Sequence, residues 1–110
     1  HNHNVTEGTI SNIFIIKNNQ LKTPILNEFV LSGIIRQAIL DLCLENNIPF
    51  KEDRITEREL YEADELFLTN SGIEILPVRN INHHKLKNRG TRPMTKHIHM
   101  LLLKSFEELS

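Results

Sequence analysis

The chain has 110 residues, 39% of them hydrophobic and 25% charged, with a formal net charge of -1 and a single cysteine, enough for one cored domain and too little for two. No apolar run approaches the roughly 20 residues of a membrane span, and the lysines and arginines are scattered among acids, so neither a membrane nor nucleic acid is expected as a partner. The lone Cys43 rules out an internal disulfide and fits a reducing compartment, with the cytoplasm as the expected location.

In chain order, Thr9 to Ile16 (TISNIFII) is rich in β-branched and apolar residues. Lys17-Asn18-Asn19-Gln20 then supplies turn chemistry and Leu21-Lys22-Thr23 resumes, which predicts a hairpin. Pro24 ends the second strand, and an irregular stretch leads through Asn27 and Ser32 to Gly33. From Ile34, the residues Ile35, Ala38, Ile39, Leu42 and Cys43 recur at spacings of three and four. This predicts a helix to about Glu45, with Arg36, Gln37, Asp41 and Glu45 largely on its outer face. Asn46-Asn47 stops it, and Ile48-Pro49-Phe50 opens a short strand carrying on toward Ile55.

Thr56-Glu57-Arg58-Glu59 has the spacing of a capping box and predicts a short helix to Ala63. Glu65 to Thr69 and Ile73 to Val78 read as strands, split by the polar Asn70-Ser71-Gly72. Asn82-His83-His84 predicts a tight turn, and Thr91-Arg92-Pro93 the start of a last helix from about Met94 to Leu109. Its apolar residues Ile98, Leu101, Leu102, Phe106 and Leu109 form a stripe suited to packing on a sheet. With no repeat, low-complexity tract or linker, the expected class is a single α+β domain, a mixed sheet with a few covering helices.

Three short stretches could carry chemistry. Gly33 directly before a helix lets the backbone approach a ligand, and the first amides, those of Ile34 and Ile35, lack internal partners at the positive end of the helix dipole. Taken alone, the stretch reads as an N-cap at Ser32 and a flexible joint. Thr69-Asn70-Ser71-Gly72 could present hydroxyls and amides to an anion, or simply connect two strands. Glu7 stands at the edge of the first strand, where a carboxylate aimed at a ring nitrogen could hold a proton; most such glutamates are solvated. The histidines do not make a metal site, because His97 and His99 sit two apart on a helix and point to different faces, whereas a helical zinc pair wants a spacing of four. Cys43 reads as a small core residue rather than a nucleophile.

Together, T-E-G-T-I-S-N-I-F, L-S-G-I-I-R-Q and A-D-E-L-F-L-T-N-S-G-I-E-I-L-P-V, in that order, closely resemble the C-terminal half of class IV (fold type IV) pyridoxal-phosphate enzymes. That family includes branched-chain and D-amino acid aminotransferases and aminodeoxychorismate lyase. The likeness runs from about Asn4 to Leu109 and implies the C-terminal domain of the D-amino acid aminotransferase-like fold, a mixed sheet or pseudobarrel with covering helices. It implies pyridoxal 5′-phosphate as cofactor, with Glu7 on the pyridine nitrogen, Leu31 against the ring, and the amides of Gly33, Ile34 and Ile35 on the phosphate. Asn70 and Ser71 would form the second phosphate loop, and Ser71 and Gly72 would lie near the substrate carboxylate. Asn12 and Arg36 match structural positions, Arg36 tying the helix to neighbouring loops.

Two departures shape the expected function. Transaminases of the family commonly carry Thr where this chain carries Ile35, so a hydroxyl donor to the phosphate is missing, with Ser71 available to compensate. Ser32-Gly33-Ile34-Ile35-Arg36 and Asn70-Ser71 lean toward aminodeoxychorismate lyase, which releases pyruvate and forms 4-aminobenzoate for folate synthesis; an aminotransferase acting on branched-chain or D-amino acids is the alternative. The second departure is that the family's Schiff-base lysine lies upstream of the E-G motif, and only six residues precede Glu7. The resemblance therefore implies no catalytic residue in this chain, Lys17 and Lys22 included. It implies the larger, C-terminal domain of a longer enzyme, homodimeric when intact, and a chain inactive as it stands. A reading from another class is a non-catalytic α+β module that binds partners through the surface a missing domain would cover.

Overall fold

In the computed structural model, which describes residues 10–25, 34–70, 75–88 and 90–107, the predicted hairpin joins β1 (Ile10–Lys17) to β2 (Gln20–Thr23). Asn18 and Asn19 both take positive φ, 52° and 65°, the conformation of a two-residue turn whose twist matches that of the strands it joins. Asparagine tolerates this left-handed region better than other side chains. Helix α1 (Ile34–Glu45) follows and ends in a Schellman motif: Asn47 sits at φ 57°, and the Ile48 amide donates to the Cys43 carbonyl at 2.9 Å. Ile48 thereby enters the same core cluster as Cys43.

The expected strand after α1 is shorter than predicted. β3 covers Phe50–Glu52 and does not reach Ile55. The Asp53 amide still donates to the Thr23 carbonyl at 3.0 Å, but β2 ends at Thr23 and offers nothing further to pair with. β3 runs parallel to β2, Leu21 facing Phe50, and α1 supplies the crossover that a parallel pair requires. Helix α2 (Glu57–Glu62) carries the capping box in full, with the Glu59 amide donating to Thr56 Oγ1 at 3.1 Å and the Thr56 amide to Glu59 Oε1 at 2.9 Å.

Then come β4 (Glu65–Asn70), β5 (Ile75–Val78), the two-residue strands β6 (Asn80–Ile81) and β7 (His84–Lys85), and α3 (Pro93–Glu107). The tight turn expected at Asn82-His83-His84 closes β6 on β7 as a small hairpin, Asn82 taking φ 55°. Thr9, Ile73, Glu74 and Leu109, assigned to element ends from the sequence, lie outside the described residues. The main sheet has the order β3-β2-β1-β4-β5, with β1 antiparallel to β2 and β4, and β4 antiparallel to β5.

Strand alternation splits the apolar residues between two faces. Phe14, Ile16, Leu21 and Phe67 join Ile35, Ile39, Leu40 and Cys43 of α1 and Ile98 and Leu102 of α3 in the main core. Phe14 and Phe67, paired in register, stack with ring centroids 4.9 Å apart. Ile15, Leu66, Ala63 and Leu86 form a smaller cluster on the other face. The buried arc of α1 is turned from the predicted one: Leu40 is inside, and Arg36, expected on the outer face, is 3% exposed. Cys43 is the core residue its helical position implied, and burial pushes its thiol up to about 11, leaving it protonated and unreactive at neutral pH.

On that second face, Lys22 Nζ donates to Glu59 Oε2. This bond, together with the Thr56 amide, pulls the Glu59 carboxyl down from its ordinary value to about 2. A depressed carboxyl stabilises the fold above the unfolded-state value of about 4.3, and that contribution disappears as pH falls through the folded value. The stability difference between the parent chain and Glu59→Gln is therefore expected to be present at pH 6, to shrink between about pH 5 and pH 2, and to weaken in high salt. Urea unfolding of both proteins across that range checks it; a difference independent of pH would contradict the ion pair.

Candidate functional site

Of the residues that sequence analysis assigned to a site, Ile34 and Ile35 open α1 as expected and Asn70 closes β4. Glu7, Leu31, Gly33, Ser71 and Gly72 lie outside the described residues. The strand register nevertheless fixes where the backbone on either side of them stands. β1 begins at Ile10, which faces Asn70 at the end of β4, and Thr69 faces Ile75 at the start of β5. β2 and β3 run antiparallel to β1, so their last residues, Thr23 and Glu52, point toward the same end of the sheet. β1 thus begins and β4 gives way to β5 at one end of the sheet, the end toward which β2 and β3 also run, β2 stopping level with the middle of β1.

Arg36 ties the start of α1 to the ends of β2 and β3. Its guanidinium donates to the Pro24 carbonyl at 3.1 Å and to Glu52 Oε2, which are the residue just past β2 and the last residue of β3. Both bonds leave the same nitrogen, Nη2, whose two N–H groups satisfy a carbonyl and a carboxylate at once. The tie expected between this helix and neighbouring loops is therefore present in atomic detail, and it makes Arg36 a buried clamp.

α1 carries no acidic side chain in its first turn, whereas the other two helices begin on carboxylates. α2 has Glu57 and Glu59; α3 receives Glu65 from β4. Glu65 is 2% exposed. Its Oε1 accepts from the Thr95 amide at 2.8 Å and the Thr95 hydroxyl at 2.7 Å, and its Oε2 from the Met94 amide at 3.1 Å. Pro93 has no amide hydrogen to leave unpaired, so this one carboxylate satisfies the start of α3. Sequence reading saw Glu65 only as a strand residue, because its partners lie some thirty positions away.

Ile35 is buried in the cluster that also holds Ile75, the first residue of β5. Thr69 is fully buried, and its hydroxyl has no hydrogen-bond partner. No metal-ligating group of three or more histidine, cysteine or acidic side chains occurs among the described residues, and none of their helices is long and apolar enough to cross a membrane.

A separate hollow of about 330 Å³ opens beside α2, lined by residues including Ile15, Lys17, Lys22, Lys51 and Glu59. It lies on the face away from α1. Its three lysines each meet a carboxylate, Lys17 with Asp64, Lys22 with Glu59 and Lys51 with Asp53, so it offers no unopposed positive field and no lysine held free for covalent chemistry.

The family model for amino-transferase class IV matches residues 1–81. The chain is 37% identical over 101 residues to D-alanine aminotransferase of Bacillus licheniformis, covering 92% of this chain and 36% of that protein. A solved aminotransferase from Brucella abortus, bound to the co-factor PLP, superposes with a TM-score of 0.77 at 27% identity, covering 86% of this chain and 33% of that one. A Legionella pneumophila structure carrying the provisional description 4-amino-4-deoxychorismate lyase superposes at 0.76 with 28% identity, over 90% and 38%. The chain spans about a third of the length of these relatives.

Proposed function

The chain belongs to the amino-transferase class IV family, and from that premise we propose that it is the C-terminal, cofactor-binding part of a pyridoxal-phosphate enzyme that transfers the amino group of a branched-chain or D-amino acid. The observation that carries this reading is that β1 begins, β4 ends and β5 begins at one end of the sheet, while Arg36 ties the start of α1 to the ends of β2 and β3. Support for the aminotransferase chemistry comes from the Bacillus licheniformis relative.

The described residues fit the cofactor: a helix start with no acidic side chain in its first turn suits a phosphate, and a buried hydroxyl without a partner stands on the adjoining strand. When bound, pyridoxal 5′-phosphate supplies the electron sink for breaking a bond at the amino acid's α carbon. In this reading Glu7 holds a proton at the pyridine nitrogen and Leu31 packs on the ring. The amides of Gly33, Ile34 and Ile35, with Asn70 and Ser71, hold the phosphate. Ser71 and Gly72 orient the substrate carboxylate. No catalytic residue is assigned to the chain; the lysine that moves the α proton is supplied by sequence preceding Glu7, and the 110 residues alone are inactive. The homodimer and the cytoplasmic location belong to the same proposal.

A second reading, aminodeoxychorismate lyase, draws support from Ser32-Gly33-Ile34-Ile35-Arg36 and Asn70-Ser71 and from the Legionella pneumophila structure. The intact enzyme, given L-leucine or D-alanine with 2-oxoglutarate, is expected to form glutamate. Pyruvate release from 4-amino-4-deoxychorismate without amino transfer would select the lyase instead, and turnover by the 110-residue chain alone would refute the placing of the lysine outside it.

A further inference from the structure

Helix α3 packs one side on the core, with Thr95, Ile98 and Leu102 buried. Its other side leaves Met100 57% and Leu103 49% exposed. Single apolar residues at a surface are ordinary, but these two stand about one helical turn apart and share a shallow hollow of about 380 Å³. Lys96, His99, Lys104 and Glu107 complete its lining. Spacings of three and four put all of these residues on one face, so the apolar pair sits in mid-stripe, with Lys96 at one end and Glu107 at the other.

The order of charges along the stripe says what fits it. A two-fold axis crossing α3 midway between Leu101 and Leu102 brings up an antiparallel second copy, in which each residue faces the one equally far beyond the axis. Met100 then meets Leu103 of the second copy and Lys96 meets its Glu107, each contact occurring twice. The remaining pair sets Lys104 opposite His99, whose neutral imidazole accepts from an ammonium. A parallel copy would instead set Lys96 against Lys96 and Glu107 against Glu107. The stripe is therefore complementary to itself antiparallel and not parallel, and a chain of net charge -1 carries little overall repulsion against association.

We propose that the outer face of α3 is a contact between two copies of this chain, Met100 and Leu103 packing across a two-fold axis between paired Lys96 and Glu107. This contact makes no use of the cofactor site and stands or falls separately from it. So short a helix face buries less than a stable dimer needs, and the association is weak, with a dissociation constant on the order of 100 μM.

Sedimentation equilibrium of the chain from about 10 μM to about 1 mM is expected to show a reversible dimer that weakens as salt rises. Lys96→Glu and Glu107→Lys each set like charges opposite one another, and each should self-associate roughly tenfold more weakly. Mixed in equal amounts, the two variants regain opposite charges at every pair and should associate within about threefold of the parent. Recovery on mixing separates a direct contact from damage to the helix, which neither variant repairs in the other. A parent chain that stays monomeric at about 1 mM overturns the proposal and gives the face to an acidic segment of another polypeptide. A dimer indifferent to both charge reversals, or a mixture no tighter than the variants alone, overturns it as well.

Discussion

Replacing Glu65 with alanine is expected to destabilise the fold by about 3–4 kcal/mol, a large share of the stability of a small domain. The side chain is buried and accepts from two backbone amides and one hydroxyl at the start of α3. Hydrogen bonds to a charged acceptor are worth more than neutral ones, and the positive helix end adds to them. Alanine leaves the Met94 and Thr95 amides and the Thr95 hydroxyl unpaired in a site closed to water. The damage then spreads to the main core, because α3 contributes Ile98 and Leu102 to it. Glu65→Gln keeps an acceptor and gives up the charge, so it should lose less, about 1–2 kcal/mol. Urea unfolding followed by circular dichroism measures both. A loss below about 1 kcal/mol for Glu65→Ala would show that α3 does not depend on this cap.

Arg36→Leu is expected to lose about 2–3 kcal/mol of stability and to abolish measurable binding of pyridoxine 5′-phosphate. Leucine replaces the apolar stem but not the guanidinium, so the Pro24 carbonyl is left without its donor while Glu52, which is partly exposed, turns to water. Partial resolvation of Glu52 is why the expected loss stays below that of a fully buried pair. The larger consequence concerns position, since the start of α1 loses its tie to the ends of β2 and β3. Arg36→Lys should not rescue binding, because the shorter lysine stem places its ammonium short of the position of Nη2, which bonds both acceptors. If Arg36→Leu instead binds the phosphate ester as tightly as the parent, the clamp has no part in shaping that site.

Much of the architecture was legible in local signals. Paired asparagines announced the β1–β2 turn, the spacing of Ile35, Ile39 and Cys43 announced α1, and Thr56 with Glu59 announced α2. Each of these is a choice made within about one turn of chain, where backbone conformation and the nearest side chains decide the outcome. The beginnings of the candidate site were legible in the same way, since a helix starting at Ile34 and a strand ending near Asn70 are local facts. The end of β3 was not, because it depends on where β2 stops.

What only the tertiary structure decided are relations between residues far apart in the chain. By periodicity Arg36 belongs on a solvent face; it is buried because an acceptor from each of two strand ends converges on it. Glu65 looks like an ordinary strand residue until α3 is packed over it, and Thr69 until its hydroxyl is found buried without a partner. By itself, then, the sequence determined the elements and, through its motifs, the family resemblance. Which polar groups were taken out of water, and which of them found partners, was settled by the meeting of segments distant in the chain, because desolvation depends on everything that surrounds a group and not on its neighbours in sequence.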